Sequence, residues 1–133
     1  MHRLMGIDYG SKRIGIALTN EGAHEEGSFA LPHSVVQNSV EALPEIVEIC
    51  TLNGVNKIII GDSKDFNGED NKIMADINVF VGNLKKELPE VEVVLHPEFL
   101  TSLQAERLQG KNDMLDASAA AIILQSYIDT NYK

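Results

Sequence analysis

Two apolar runs near the N-terminus, joined by a short polar link, constrain the fold of this chain more than any other stretch. They span Met5–Leu18, and Asp8 lies inside the first run. Apolar runs bounded by glycine and turn residues are typical of strands buried on both faces, and two so close together predict a β-hairpin. A carboxylate in a buried strand is costly unless it is neutralised, hydrogen-bonded or bound to a metal. Asp8 therefore requires an explanation.

The rest of the chain alternates between strand and helix patterns. In the helical segments apolar residues recur at spacings of three and four, and Ser39 is the expected N-cap of the first of them, with Val40 opening its apolar stripe. The predicted elements are an irregular edge strand over 28–37, a helix over 39–53, a strand over 57–61, a helix over 73–88, a strand over 91–95, a short helix over 103–108 and a last helix, capped by Asn112 or Asp113, ending near 128. This order predicts an α/β fold, a mixed five-stranded sheet with helices on both faces, formed as one domain over residues 1–133.

Composition narrows the class of protein. The formal net charge of -9 argues against a protein that coats nucleic acid nonspecifically, because that mode depends on many lysine and arginine contacts to phosphate. No apolar run approaches the roughly 20 residues of a membrane helix, and the N-terminus shows no signal-peptide pattern, so we expect a cytoplasmic protein. The single cysteine, Cys50, excludes an internal disulfide and is expected to be a small core residue.

Three carboxylates from distant positions are expected at one edge of the sheet: Asp8 at the end of the first strand, Glu98 just past a later strand, and Asp116 in the first turn of the last helix. Oxygen ligands in such a group suit Mg²⁺. Each has an ordinary alternative: a turn cap for Asp8, a solvated loop for Glu98, and stabilisation of the helix dipole for Asp116. Asp62 and Asp65 are extra carboxylates, more readily explained as loop residues.

Two cations and one histidine lie near these carboxylates in the sequence. Lys12 and Arg13 follow Asp8 in the hairpin link and are candidates for holding a substrate phosphate; a solvated link explains them equally well. His96, which precedes Pro97, is a candidate for orienting Glu98 or moving a proton, although a histidine at a strand end is ordinarily structural.

These motifs resemble those of the YqgF family, RNase H-like proteins of bacteria described as Holliday junction resolvases and nucleases of pre-ribosomal RNA. The opening segment 6–17 is similar to the first family motif and is the most specific. Segments 58–61, 98–102 and 115–127 are similar to the later motifs, so the resemblance runs essentially end to end.

The resemblance implies that Asp8, Glu98 and Asp116 form an acidic triad that binds Mg²⁺ or Mn²⁺ and supports phosphodiester hydrolysis. With Lys12 and Arg13, Thr101 in the third motif is a candidate for substrate binding. The implied partners are pre-ribosomal RNA or branched DNA, with ribosomal particles as a further possibility, no membrane, and a monomer or weak homodimer as the state of the chain.

The third motif departs from the family pattern. The family usually has aspartate-glutamate-arginine there, whereas Pro97 and Phe99 flank Glu98 in this chain. Three hypotheses follow: a nuclease of structured RNA that trims pre-16S ribosomal RNA ends, a Holliday junction resolvase, and a catalytically weak RNase H-like module that binds nucleic acid.

Overall fold

The structure, a computed structural model, describes residues 3–10, 12–19, 29–62, 72–97 and 115–131. Its strands are β1 (Arg3–Tyr9), β2 (Arg13–Thr19), β3 (Ala30–Gln37), β4 (Val55–Asp62) and β5 (Glu92–Pro97). The helices within these ranges are α1 (Ala42–Asn53), α2 (Lys72–Glu87) and α3 (Leu115–Asn131). The predicted short helix over 103–108 and the predicted cap of the last helix, Asn112 or Asp113, lie outside the described residues.

The strands form a mixed sheet in the order β3-β2-β1-β4-β5. β1 and β2 form an antiparallel hairpin with Ile7 opposite Ile16, and β3 pairs antiparallel with β2. β4 lies parallel to β1, and β5 lies parallel to β4. Pro32 lies in β3 at the sheet edge, where proline is tolerated. The predicted hairpin, the mixed five-stranded sheet and the edge position of the third strand are confirmed.

Helices cover both faces of the sheet, as predicted. Successive residues of a strand point to opposite faces, and the buried residues divide accordingly. On one face α1 and α2 pack against a core that includes Ile7 and Ile60. On the other face α3 packs against a core that includes Ala17 and Ile59. Within the described ranges, no helix combines the length and apolarity needed to cross a membrane.

The start of α1 differs from the expectation, and its end agrees with it. Ser39 is not the N-cap: that position is Glu41, and the Ser39 hydroxyl accepts a hydrogen bond from the Glu41 backbone N–H at 3.3 Å. Val40 precedes the helix and is 93% exposed, so its predicted place on the apolar stripe is also wrong. At the other end Gly54 adopts the left-handed conformation (φ 65°, ψ 35°), and its N–H donates to the Cys50 carbonyl.

Cys50 is a buried core residue of α1, as predicted. Its Sγ lies 3.8 Å from the Met5 sulfur, and burial raises the pKa of the thiol to about 12. The raised pKa keeps the thiol neutral, which is consistent with a packing role.

Candidate active site

The carboxyl ends of the three parallel strands lie at one edge of the sheet. Ile7 of β1 is level with Ile60 of β4, and Ile60 is level with Leu95 of β5. The last paired residues of β4 and β5 are Asp62 and Pro97. Ligands of open α/β sheets bind at this edge. The sheet therefore brings the backbone of Asp8 to the same edge as the ends of β4 and β5.

Asp8 lies in β1 opposite Gly15 and is half-buried. Because successive strand residues alternate between faces, Asp8 shares the α3 face with Gly6, while Ile7 belongs to the core under α1 and α2. β1 is paired on both sides, so the backbone at Asp8 is held by the centre of the sheet. A carboxylate at this place extends from a fixed backbone and is partly protected from water.

The hairpin link after Asp8 is held by backbone contacts and by Asn38, which the sequence reasoning did not single out. The Gly10 N–H donates to the Arg13 carbonyl at 3.0 Å, and a Cβ on Gly10 would lie 2.6 Å from that carbonyl oxygen. The Asn38 side chain donates to the Gly10 carbonyl at 2.8 Å, and its backbone N–H donates to the Lys12 carbonyl at 2.9 Å. A contact over 28 positions leaves no local signal in the sequence.

Two contacts locate α3 on the sheet. A Cβ on Gly6, near the middle of β1, would lie 2.6 Å from the Ala120 carbonyl oxygen. Later in α3, the Gln125 side chain accepts a hydrogen bond at 2.9 Å from the N–H of Ala30, which is paired with Thr19 beside the start of β1. Residue 116 lies one helical turn before Ala120, the residue at which α3 approaches Gly6.

Several predicted site residues lie outside the described part of the structure. Glu98, Thr101 and Asp65 are in undescribed segments, and for Asp62 and Asp116 the backbone alone is described. Among the described side chains, no group of three His, Cys, Asp or Glu residues is arranged to hold a metal ion. The assignment of metal ligands consequently remains a prediction.

His96 connects the end of β5 to α3. Its Nε2 is 3.0 Å from the Ser126 hydroxyl, and its ring packs edge-on against Tyr127 with the centroids 5.8 Å apart. Partial burial lowers the pKa of His96 from its ordinary value, which favours the neutral ring. Both contacts join the strand that precedes Glu98 to the helix that carries Asp116.

The two cations of the hairpin link lie at the same edge of the sheet. Lys12 and Arg13 are both exposed, and Arg13 begins β2 opposite Gln37. Their exposure is compatible with contacts to a phosphate at this edge, and it is equally what a solvated link requires. Their role in substrate binding stays a prediction.

A central antiparallel hairpin extended by two parallel strands, with helices on both faces, defines an RNase H-like α/β protein. The described fold superposes on Thermus thermophilus RuvC with a TM-score of 0.62 and 14% identity, covering 98% of this chain and 97% of that one. A structure of the same RuvC in complex with Holliday junction substrate gives a TM-score of 0.60. The fold prediction is confirmed.

Similarity in sequence gives the family. A protein-family model described as "RuvX: Holliday junction resolvase" matches residues 2–130, and the chain belongs to this family. It is 34% identical to a Bacteroides fragilis relative, over 98% of both chains, and 35% identical to one from Endomicrobium trichonymphae, over 97% of this chain and 96% of the relative. Both relatives carry the provisional name pre-16S rRNA nuclease. The resemblance to the YqgF family is thereby confirmed.

Proposed function

We propose that this chain is a metal-dependent nuclease that hydrolyses phosphodiester bonds in structured RNA, at the ends of pre-16S ribosomal RNA. The observation that carries the proposal is the near full-length similarity to relatives with that provisional name. As an enzyme of ribosomal RNA processing, it would act in the cytoplasm, on free precursor RNA or on ribosomal particles.

The proposed metal ligands are Asp8, Glu98 and Asp116. Support comes from the backbone: Asp8 lies on the α3 face, residue 116 lies one helical turn from the Ala120 that approaches Gly6, and Glu98 directly follows Pro97, which ends β5 at the same edge as Asp8. Three carboxylates form the all-oxygen donor set that Mg²⁺ and Mn²⁺ prefer, so these residues fit such an ion.

The chain's own residues would position the substrate at this edge. A divalent ion held there supplies a Lewis acid that polarises a phosphoryl oxygen. Lys12 and Arg13, exposed in the adjacent link, would hold the phosphate on one side, and Thr101 would contact it from the segment after β5. The pairing of β1 on both sides would keep the backbone that carries Asp8 in place while substrate binds.

Cleavage of a pre-16S ribosomal RNA fragment by purified protein with Mg²⁺ or Mn²⁺ tests the proposal. Asp8→Asn preserves the size of the side chain and removes its charge. Since outer-sphere partners of metal ligands are typically worth about 10–100-fold, we expect loss of a ligand to lower the rate by at least about 100-fold. Circular dichroism should show an unchanged fold.

The matched control is Asp129→Asn on α3. Asp129 is exposed, and its Oδ1 accepts a hydrogen bond from Gln125 at 3.0 Å, which an asparagine Oδ1 can also accept. Cleavage within twofold of wild type is expected for this variant. Equal activity of wild type and Asp8→Asn would refute the assignment of Asp8, and absence of cleavage of any nucleic acid would refute the nuclease.

Resolution of branched DNA is the second candidate function. The description of the matching family model favours it. A synthetic four-way DNA junction, assayed beside the RNA fragment with the same metal, separates the two substrates. Paired incisions require two active sites, so a protein that sediments strictly as a monomer when bound to the junction would count against this candidate.

A catalytically weak binding module is the third hypothesis. Isothermal titration with Mn²⁺ distinguishes it from the nuclease, because three carboxylates around one ion predict saturable binding that Asp8→Asn weakens. Binding of nucleic acid without saturable binding of metal would favour the module.

A further inference from the structure

A cleft of about 380 Å³ opens beside the candidate active site, on the opposite face of the sheet. Tyr9, the residue after Asp8, lines it from the end of β1, and Phe80 and Asn83 line it from α2. The segment leading into α1 contributes Asn38. We call this the Tyr9 cleft. Because Tyr9 adjoins Asp8, with about 3.8 Å between their Cα atoms, the cleft and the proposed metal site meet at one edge of the sheet.

The cleft combines an aromatic wall with hydrogen-bonding groups. The rings of Tyr9 and Phe80 pack at 5.0 Å between centroids with a 48° tilt. Phe80 is buried and Tyr9 is half-buried, so Tyr9 is the more accessible of the two rings. The hydrogen bond from the Asn38 Nδ2 to the Gly10 carbonyl fixes the orientation of that amide. Asn83 supplies a second amide, which is exposed.

The charge of the cleft selects a neutral group over a phosphate. Asp76 is its one charged residue among the described lining residues, and Val79, 64% exposed, adds apolar surface. A carboxylate disfavours a phosphate and accepts hydrogen bonds from amino groups. The volume of the Tyr9 cleft lies at the low end of the roughly 300–1,000 Å³ of small-molecule sites, so the cleft suits one flat ring system.

We infer that the Tyr9 cleft binds one unpaired base of the nucleic acid substrate, beside the phosphate held at the Asp8 edge. The inference rests on the proposed function and specifies its substrate as a strand with an unstacked nucleotide at that place. Proteins that bind single strands stack bases on accessible aromatic rings in the same way. The carboxylate of Asp76 can accept a hydrogen bond from an N–H group that an unpaired base exposes.

Base removal tests this inference without cleavage. The affinity of the Asp8→Asn protein is measured for a single-stranded RNA of ten mixed nucleotides and for ten versions that each lack one base. Because a stacked base is worth about 1–3 kcal/mol, one version should bind roughly tenfold more weakly.

Asn83→Ala links the effect to the cleft. One lost hydrogen bond of about 1 kcal/mol predicts roughly fivefold weaker binding of the intact RNA and no further loss for the version that lacks the critical base. Asn78→Ala is the matched control, because Asn78 is an exposed residue of the same helix that does not line the cleft. Made in the Asp8→Asn protein, Asn78→Ala should bind the intact RNA and the version that lacks the critical base with the affinities of Asp8→Asn alone.

Three outcomes would overturn the inference. The first is that removal of no single base weakens binding. The second is that the loss of affinity from Asn83→Ala and the loss from base removal multiply when combined. The third is that Asn83→Ala changes the sedimentation of the protein, which would assign the cleft to a second copy of the chain. Cleavage of RNA by wild type in any of these cases would leave the proposed function standing. Failure to bind any RNA would remove both.

Discussion

Substitution of Gly6 by alanine tests whether the close approach of α3 to β1 fixes the relative position of these two elements, which carry Asp116 and Asp8. A Cβ at position 6 would lie 2.6 Å from the Ala120 carbonyl oxygen and 2.7 Å from the Leu124 Cβ. Ordinary contact begins at 3.4 Å, so α3 would have to retreat from 2.6 to 3.4 Å, by about 0.8 Å. The obstacle on one side is helix backbone, which no side-chain rotation can relieve.

The expected loss of stability combines two opposing effects. Replacing glycine by alanine inside a regular element is favourable by about 0.5–1 kcal/mol on backbone entropy alone. Forcing extra volume into a packed core typically costs about 1–3 kcal/mol. We expect Gly6→Ala to lower the free energy of unfolding by about 1–2 kcal/mol. With an m-value of about 2 kcal/mol/M, the urea midpoint followed by circular dichroism should fall by roughly 0.5–1 M.

Gly82→Ala is the matched control. Gly82 is exposed on α2, and a Cβ there would meet no atom within 4 Å, so helix propensity should raise stability by about 0.5–1 kcal/mol. If Gly6→Ala were as stable as Gly82→Ala, the close packing of α3 on β1 would be refuted.

Activity supplies a second readout of the same change. A misplacement of about 1 Å in a catalytic group can cost roughly 100-fold in rate. RNA cleavage by Gly6→Ala, measured well below its urea midpoint, should therefore fall by about 10–100-fold, because the shift is centred one turn from residue 116. Full activity in a folded but destabilised variant would show that this contact supports stability alone.

Two further predictions concern stability. Thr19→Val should lower the free energy of unfolding in urea by about 1–3 kcal/mol, because the buried Thr19 Oγ1 accepts a hydrogen bond from the Leu4 N–H at 3.0 Å and valine leaves that donor unpaired. The control is Thr51→Val at an exposed position, which should change stability by less than about 0.5 kcal/mol. Equal effects of the two substitutions would contradict this account. Partial burial lowers the pKa of His33 and of His96, and at His33 the charge of Arg3 lowers it further. The unfolded chain therefore binds more protons near pH 6.5, and the free energy of unfolding should fall as pH drops from about 7.5 to 5.5. His33→Gln should flatten that slope in part, and an unchanged slope would show that His33 does not contribute.

Patterns with a fixed period allowed much of the fold to be predicted. The apolar runs around Asp8 and over 57–61 have the length and glycine boundaries of central strands, and both are central in the sheet. The stripe of Ile77, Phe80 and Leu84 at helical spacing is buried, as expected of an amphipathic helix. In each case local repetition reports which face of an element meets the core.

Single contacts between distant residues could not be predicted in this way. Serine is a preferred residue at the N-cap, yet the chain turns at Ser39 and the helix begins at Ala42. Asn38 closes the hairpin link from the segment after β3, and α3 packs closely on β1 at Gly6. Glycine and asparagine occur in many roles, so identity and spacing alone do not distinguish these contacts from ordinary turns.

Pro97 shows how the third motif can differ from the family pattern and still serve the proposed site. It ends β5, an edge strand, where proline disrupts the sheet least. Its ring fixes φ near -65°, and it favours an extended backbone at His96, which lies in the strand. Proline in place of the family's aspartate removes a charge beside the proposed ligand without interrupting β5, so we expect the change to lower affinity for the metal and the substrate.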